Sequence, residues 1–524
     1  MRAIFSFLVI VVAAAVVLYT TPHGLGVSPD SASYLKGASG MLSGQGLSYL
    51  STQWPPLYPA AVAAFGAVFH ADVMLGARVL NALLYGLNYL LLVTLLKRFI
   101  SSAEWLAVVM AALICLQPPL ALIHYYAWTE PLFMALMLGD ILLLLSMQQR
   151  SSQAWYRALL ILFATLALLT RYTGLAMPML NAAAIFAFST HAKMWVRLRR
   201  AVVQLLIPLI IFAPWTLHRG VGDSAATARK IVFRALPLGT LQHALSTIGH
   251  WLLPAGAGNG THWLKTLAPW LGALLLCLPL GCLLFAVLLN KLSVQPSLRQ
   301  GRACFVSELC SPDQIPLMVG ASYVLIYLSL LYGAISFFDN KVPFDNRILA
   351  PVFPVLMVLL IASVRRLAQP VLKSLGLAII ALMLSTSYSS FRGWLLFSKF
   401  NGIEISSVSV RTSPIHNFMQ TCSREARVFA DQPWNFELDF NKKVLWLPNR
   451  TLYYLGQTNP EYHQQMARLG QVADLIVIEN PNSDAINDVD QLDSFVRINE
   501  TGAVLVWINT NATTVHCLSD VLGK

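Results

Sequence analysis

Long apolar segments recur through the first three quarters of this 524-residue chain. A helix needs about 20 apolar residues to cross ~30 Å of hydrocarbon. About eleven segments approach that length, which predicts a polytopic α-helical membrane protein. They are residues 4–20, 74–96, 104–122, 129–147, 156–170, 173–190, 201–217, 266–289, 316–337, 348–364 and 372–389. The fifth and sixth are short, and whether they are broken or re-entrant stays open.

The composition agrees with this pattern. Hydrophobic residues make up 56% of the chain and charged residues 11%, with a mean hydropathy of +0.62, whereas soluble domains carry about 25% charged residues. The first segment follows Arg2 as in a signal peptide. No small-residue cleavage site follows Tyr19, however, and further apolar segments come after it. We therefore interpret it as an uncleaved first span.

The pattern changes after residue 390, which divides the chain into domains 1–390 and 391–524. Short apolar, β-branched runs at 427–430, 444–447, 475–479 and 503–508 predict strands, and residues 412–422 and 460–470 predict helices. The second domain is therefore predicted to be a small α/β unit. It shows no catalytic motif.

Basic residues indicate the orientation of the spans. With the N-terminus inside, short inner loops hold the clusters at 97–98, 150–157, 193–200, 291–302 and 365–373. An odd number of spans then places residues 391–524 outside, with the long loops 21–73 and 218–265. Residues 391–524 carry 11 Lys and Arg against 14 Asp and Glu, so the net charge of +12 belongs to the membrane part. Inner loops facing anionic membrane lipids explain that charge, and no nucleic-acid partner is predicted.

Asp30 is the most informative polar residue, because it follows the first span directly. An acidic group next to lipid is expensive and points to a functional site. It fits an N-cap for a helix from Ser31 to about Leu42, and it also fits a general base. The two roles are compatible.

Other polar residues lie at predicted outer ends of spans. Glu130, in a stretch that also contains His124 and Thr129, suits a helix N-terminus or a catalytic role. Arg171 lies between two spans on the outer side, against the inside bias, and a bound anion would explain it. The Trp54–Pro59 turn, which contains Tyr58, fits an interfacial anchor or a substrate pocket.

Arg347 enters a span from the predicted outer side, close to Asp345. Its guanidinium suits bidentate capture of phosphate, and a surface ion pair with Asp345 is the competing interpretation. Asp140 lies alone within a span and is expected to pair with a basic group on the inner side.

In order and sidedness these motifs resemble the GT-C membrane glycosyltransferases over residues 1–390. They are Asp30 with Tyr34, Gly44-Gln45-Gly46, Pro55–Pro59, Thr129–Phe133, Leu169–Gly174 and Asn346–Pro354. The nearest branch comprises bacterial proteins similar to protein O-mannosyltransferases and the lipid A aminoarabinose transferase. Many relatives have Asp-Glu at the first motif, whereas Ser31 follows Asp30 here. Glu130 is therefore the candidate for the second carboxylate.

The resemblance implies an inverting transfer of a hexosyl or pentosyl group from a polyprenyl-phosphate donor to a lipid, glycan or protein hydroxyl. Asp30 would be the base and Glu130 the second catalytic carboxylate. Arg347 and Arg171 would bind the donor phosphate, and Tyr34, Tyr58, His124 and Asp345 would line the pocket. The site would lie on the periplasmic side of a bacterial inner membrane, with the C-terminal domain covering it or contacting the acceptor.

The resemblance fixes no cofactor. The sequence shows no cluster of metal ligands, and a divalent ion between Asp30 and the phosphate is left open. A transporter or flippase of lipid-linked sugars is the alternative function. Transporters bind near the bilayer midplane, often between repeats, whereas the polar groups here concentrate at span ends and no internal repeat is found.

Cys422 and Cys517 are predicted to form a disulfide. They are the only cysteines of the C-terminal domain, which is placed in an oxidising compartment. The bridge would stabilise the domain by about 4 kcal/mol in the loop-entropy model. Mass spectrometry of non-reduced digests is expected to find the linked peptide pair. Two free thiols would contradict the prediction.

Overall fold

The computed structural model confirms a mostly helical chain with a small mixed sheet. It describes residues 2–46, 54–99, 104–147, 153–189, 192–219, 233–253, 266–277, 281, 314–338, 342–366, 370–403, 406–411, 426–433, 444–452, 457–478, 483, 485–499 and 505–510.

The first part of the chain is built from helices joined by short turns. These are α1 Arg2–Thr20, α2 Pro29–Leu42, α3 Leu57–Val68, α4 Val73–Phe99, α5 Glu104–Cys115, α6 Pro118–Tyr125, α7 Glu130–Met147, α8 Gln153–Thr170, α9 Ala176–Phe188, α10 Met194–Arg219 and α11 Leu238–His250. They continue as α12 Thr266–Cys277, α13 Ile315–Phe337, α14 Asn346–Leu349, α15 Phe353–Arg366 and α16 Pro370–Ser390. A 3₁₀ turn, Tyr172–Leu175, precedes α9.

The protein is an integral membrane protein. Within the described residues, the helices α4, α7, α10 and α13 are long and apolar enough to cross a membrane. A fifth span results if α5 and α6, which meet at 63°, are counted together. Each of the eleven predicted segments contains at least one described helix, but the number that crosses the membrane stays a prediction.

The bend in the predicted segment 104–122 has a local cause. Pro118 and Pro119 follow Gln117, which adopts an extended conformation with φ −67° and ψ 148°. Proline lacks an N–H and disfavours helical geometry in the residue before it. Gln117 is buried, and its amide Nε2 lies within hydrogen-bond distance of Met383 O (2.8 Å), Thr386 Oγ1 (2.7 Å) and Ser387 Oγ (2.9 Å). The break between α5 and α6 is thereby fastened to α16.

Asp140 has a different partner from the one that the sequence suggested. The expected pairing with a basic group is wrong, because its Oδ1 accepts a hydrogen bond from Asn181 Nδ2 of α9 at 3.0 Å. Both side chains are fully buried.

The C-terminal part contains a five-stranded sheet. Its strands are β1 Val428–Ala430, β2 Leu445–Trp446, β5 Leu475–Ile478, β6 Phe495–Asn499 and β7 Leu505–Asn509. Their order is β2-β1-β5-β7-β6, with β1 parallel to β2 and β5, and β7 antiparallel to β5 and β6. A separate antiparallel pair joins β3 Thr451–Leu452 to β4 Gln457–Thr458.

Two helices accompany the sheet, α19 Tyr462–Val472 and α20 Ala485–Asp490. Buried Trp507, Ile476 and Leu469 contribute to one apolar core between sheet and helices. The α/β character and the four predicted strands are thus confirmed. The predicted helix 412–422 and both Cys422 and Cys517 lie outside the described residues.

The described residues that follow α16 are mostly helical. After α16 the chain forms a π-helical turn, Phe391–Leu395, then α17 Leu396–Asn401 and α18 Val408–Arg411. The hydroxyl of Ser398 donates to Thr20 O at 2.8 Å, and that of Ser406 donates to Leu25 O at 2.5 Å. The predicted boundary at residue 390 therefore falls within a helical run, and the division into domains stays a prediction.

Candidate active site

Four charged side chains from distant parts of the chain meet in one cluster. The Arg347 guanidinium bridges two carboxylates, with Nη1 at 2.5 Å from Asp30 Oδ2 and Nε at 2.7 Å from Glu130 Oε1. Arg171 Nη1 forms an ion pair with the same oxygen of Glu130. The order along the cluster is therefore Asp30, Arg347, Glu130, Arg171.

The four residues share one end of the helix bundle. Asp30 follows the end of α1, Glu130 begins α7, Arg171 follows the end of α8, and Arg347 precedes α15. At the other end of α7, Ser146 accepts a hydrogen bond from Arg98 at the end of α4, at 3.1 Å. The 18 residues of α7 place these ends ~27 Å apart. The cluster thus lies at the opposite end from this basic residue.

Asp30 lies in the first turn of α2, and the expectation that it caps this helix is corrected. The N-cap is Ser28, whose Oγ accepts from Ser31 N at 3.3 Å, and Pro29 occupies the first helical position. Because Asp30 does not cap the helix, its carboxylate is available to pair with Arg347. Its side chain is 25% exposed, the largest fraction among the four residues. Asp30 is therefore the carboxylate that a substrate can reach most readily.

Glu130 differs from Asp30 in its exposure to solvent. Its side chain is fully buried, and its carboxylate bonds to both arginines and, through Oε2, to the Thr129 hydroxyl at 3.3 Å. The same hydroxyl accepts from Arg171 Nη1 at 3.1 Å. A buried carboxylate held by two cations suits a role in fixing those cations more than proton transfer to an incoming acceptor.

Arg347 is placed by a short helix. Asp345 is the N-cap of α14, and its Oδ1 accepts from Ile348 N at 2.9 Å. The alternative of an Arg347–Asp345 ion pair is wrong: within the described residues, Arg347 pairs with Asp30 and Glu130. Tyr327 donates to Ile348 O at 3.0 Å, and Trp251 donates to Asn346 Oδ1 at 2.9 Å. These bonds anchor the helix that presents Arg347.

Tyr34 and Tyr58 are buried next to the cluster, in an aromatic group with the partly buried Trp54. The Tyr34 ring meets the rings of Trp54 and Tyr58 edge to face, at 5.6 and 5.5 Å between centroids. The Tyr58 hydroxyl donates to Asn81 Oδ1 at 3.3 Å. Tyr34 is on the helix that carries Asp30, while Tyr58 backs it from α3.

His124 is not part of the ion-pair cluster. It is fully buried, its Nδ1 lies 2.7 Å from Leu120 O, and its Nε2 lies 3.1 Å from Asn88 Nδ2. A carbonyl at Nδ1 and an amide N–H at Nε2 fix the neutral tautomer protonated on Nδ1. Its described contacts are those of a residue that joins α6 to α4.

Sequence reasoning missed Trp128 and Ser28. The Trp128 ring contacts Arg347, with 4.5 Å from Cζ to the ring centroid, and its Nε1 donates to Ser28 Oγ at 2.7 Å. The signal was a tryptophan two residues before Glu130. Aromatic residues near the ends of spans usually serve as interfacial anchors, so the contact of Trp128 with Arg347 was not expected.

The cluster balances two positive and two negative charges in a largely desolvated place. Arg171 and Arg347 are only 13% and 14% exposed. An anion that enters beside Arg347 would compete with Asp30 for the guanidinium. Glu130 would stay paired with Arg347 and hold the guanidinium in place. In the described part of the chain, no group of three or more His, Cys, Asp or Glu is arranged to hold a metal ion.

Glu130→Gln is expected to destabilise the protein strongly. The change leaves two buried guanidiniums with one carboxylate, and breaking a buried ion pair typically costs about 3–5 kcal/mol. Thermal unfolding of the purified protein in detergent measures the effect. The exposed Glu104, paired with Lys97 at 3.1 Å, supplies the control Glu104→Gln, which should shift the midpoint little. Equal midpoints for both variants would contradict the structural role of Glu130.

Two solved structures resemble this chain over nearly their full length. ArnT from Cupriavidus metallidurans bound to undecaprenyl phosphate aligns with a TM-score of 0.56 at 14% identity, covering 98% of this chain and 99% of that one. The apo state of ArnT aligns with a TM-score of 0.57 at 13% identity, covering 97% and 98%. No protein-family model matches the chain, and no curated protein sequence matches it.

These likenesses show the fold. The chain has the GT-C fold, as the resemblance of its sequence motifs predicted.

Proposed function

We propose that the protein is a glycosyltransferase that moves a sugar from a polyprenyl-phosphate donor to an acceptor hydroxyl, with inversion at the anomeric carbon. One observation supports it above others: Arg347 bridges the buried Glu130 and the partly exposed Asp30. A cation and a reachable carboxylate thus lie within one hydrogen bond of each other. The GT-C fold, shared with an ArnT structure that holds undecaprenyl phosphate, adds support.

The proposed reaction is a single displacement. Asp30 takes the proton of the acceptor hydroxyl, and the oxygen forms a bond to the anomeric carbon. The bond between that carbon and the phosphate oxygen breaks, and polyprenyl phosphate leaves with an additional negative charge. Arg347 and Arg171 stabilise that charge, which develops in the transition state. Glu130 holds both guanidiniums in place while the phosphate displaces Asp30 from Arg347.

Phosphate recognition can be tested without knowing the sugar. Polyprenyl phosphate is expected to bind the purified protein at least about tenfold more tightly than polyprenol with the same tail, since hydrogen bonds to a charged group contribute about 1.5–3 kcal/mol. Thermophoresis in detergent measures both affinities. Equal affinities would argue against a phosphate site and, with it, against this donor class.

The site is proposed to face the periplasm of a bacterial inner membrane. The cluster lies at the opposite end of α7 from Arg98, in agreement with basic residues inside. After treatment of intact cells with an impermeant reductant, an impermeant thiol reagent should label Cys422 and Cys517 but spare Cys304 and Cys310. Labelling of Cys304 and Cys310 alone would show that the orientation is the reverse of the one proposed.

A further inference from the structure

Trp128 contacts Arg347 of the cluster and also Ser28, which lies two residues before Asp30. Its ring lies against the Arg347 guanidinium at 4.5 Å from Cζ, and its Nε1 donates to Ser28 Oγ at 2.7 Å. Guanidinium groups are weakly hydrated and stack well on aromatic faces. One side chain thus touches the cation that is proposed to bind phosphate and the segment that leads to the proposed base.

The Ser28 hydroxyl transmits this contact to Asp30. Its Oγ accepts from Trp128 Nε1 and from Ser31 N, and lies 3.1 Å from Ser31 Oγ. A hydroxyl has two acceptor lone pairs and one donor hydrogen, so three such contacts use its full capacity. Ser28 caps α2, and Asp30 stands two residues further on. The Trp128 indole N–H therefore bonds directly to the N-cap residue of the helix that carries Asp30.

Backbone hydrogen bonds also join the segment that precedes Ser28 to the segment that precedes Trp128. Gly26 N donates to Tyr125 O at 2.8 Å, and Ala127 N donates to Gly26 O at 3.1 Å. A Cβ on Gly26 would come within 2.8 Å of the Tyr126 ring, so glycine is required for this close approach. Tyr126 in turn stacks on Trp128, with 4.2 Å between centroids and 13° between planes. Trp128 consequently has little freedom to turn.

We infer that Trp128 is a positioning residue, which fixes the Arg347 guanidinium relative to the Asp30 carboxylate through Ser28. The inference rests on the proposed function. Catalysis by a base and a phosphate-binding cation depends on their separation, and a misplacement of 1 Å can cost about 100-fold in rate. Arg347 also pairs directly with Asp30, but that contact opens when the phosphate binds. Trp128 would maintain the spacing at that stage.

A double-mutant cycle tests the inference. Trp128→Phe keeps an aromatic face for Arg347 and removes the N–H donor, while Ser28→Ala removes the acceptor. Each is expected to lower kcat about tenfold, the scale of one hydrogen bond of about 1.4 kcal/mol, with the affinity for polyprenyl phosphate nearly unchanged. The double variant should be no slower than Ser28→Ala alone, because both changes break the same bond.

Two further variants separate positioning from folding. Ser28→Thr retains a hydroxyl and should restore most of the activity that Ser28→Ala loses. Trp155→Phe, at a tryptophan that is 64% exposed, should leave kcat unchanged. A wild-type kcat in Trp128→Phe would overturn the inference, and so would losses of the two single variants that multiply in the double variant. The proposed function would still stand in either case if Asp30→Asn is inactive. Absence of turnover by the wild type with every donor would overturn both.

Discussion

Replacement of Asp30 by Asn is expected to reduce sugar transfer by about 100-fold or more, the usual scale for loss of a positioned general base. The amide has nearly the same shape as the carboxylate but accepts no proton from an acceptor hydroxyl. Asp30 is the most exposed of the four clustered residues, and Ser28 rather than Asp30 caps α2. The variant should therefore fold normally and bind donor.

The measurement is the rate of transfer by purified protein at saturating donor, together with thermal unfolding. Asp493, an exposed residue of the C-terminal part, supplies the matched control Asp493→Asn, which should transfer at the wild-type rate. Wild-type turnover by well-folded Asp30→Asn would remove Asp30 from the role of base.

Arg347→Ala is expected to lower kcat by about 100- to 1,000-fold, as removal of one group that stabilises developing charge typically does. Arg347→Lys should recover only part of this loss. A lysine keeps the charge, but it lacks the planar fork with which Arg347 contacts Asp30 through Nη1 and Glu130 through Nε. Donor affinity should fall in the same order, with alanine the weaker binder.

Donor binding and single-turnover rates of both variants separate the effect on affinity from the effect on chemistry. The exposed Arg468 of α19 serves as the control position, where Arg468→Ala should alter neither quantity. Unchanged donor affinity in Arg347→Ala and Arg347→Lys would place the phosphate elsewhere, and Arg171 would be the next candidate.

Much of the membrane fold could be predicted from the sequence, because lipid imposes one length and one composition on each span. The bend between α5 and α6 is a local effect of Pro118 and Pro119, visible in the sequence although the segment was expected to be one span. The strands of the tail were predictable from short β-branched runs. Their order, with β7 between β5 and β6, depends on contacts that such runs do not encode.

The four charged residues could be singled out because charges at span ends are costly and need a reason. Their pairing could not. Arg347 and Glu130 are 217 positions apart, so only the packing of the helices brings them together. Sequence proximity offered Asp345 as an alternative partner of Arg347, whereas Arg347 pairs with Asp30 and Glu130 and Asp345 caps α14. Asp140 likewise pairs with Asn181, 41 positions away.

We propose above all that the Asp30–Arg347–Glu130–Arg171 cluster catalyses the transfer of a sugar from a polyprenyl-phosphate donor. The most direct measurement incubates purified wild-type protein and Asp30→Asn in lipid nanodiscs with a panel of radiolabelled polyprenyl-phosphate sugars and lipid, glycan and protein acceptors. We expect the wild type to consume at least one donor, release polyprenyl phosphate and label an acceptor, while Asp30→Asn leaves that donor intact. Donors that remain intact with the wild type, or are consumed equally by both proteins, would contradict this proposal.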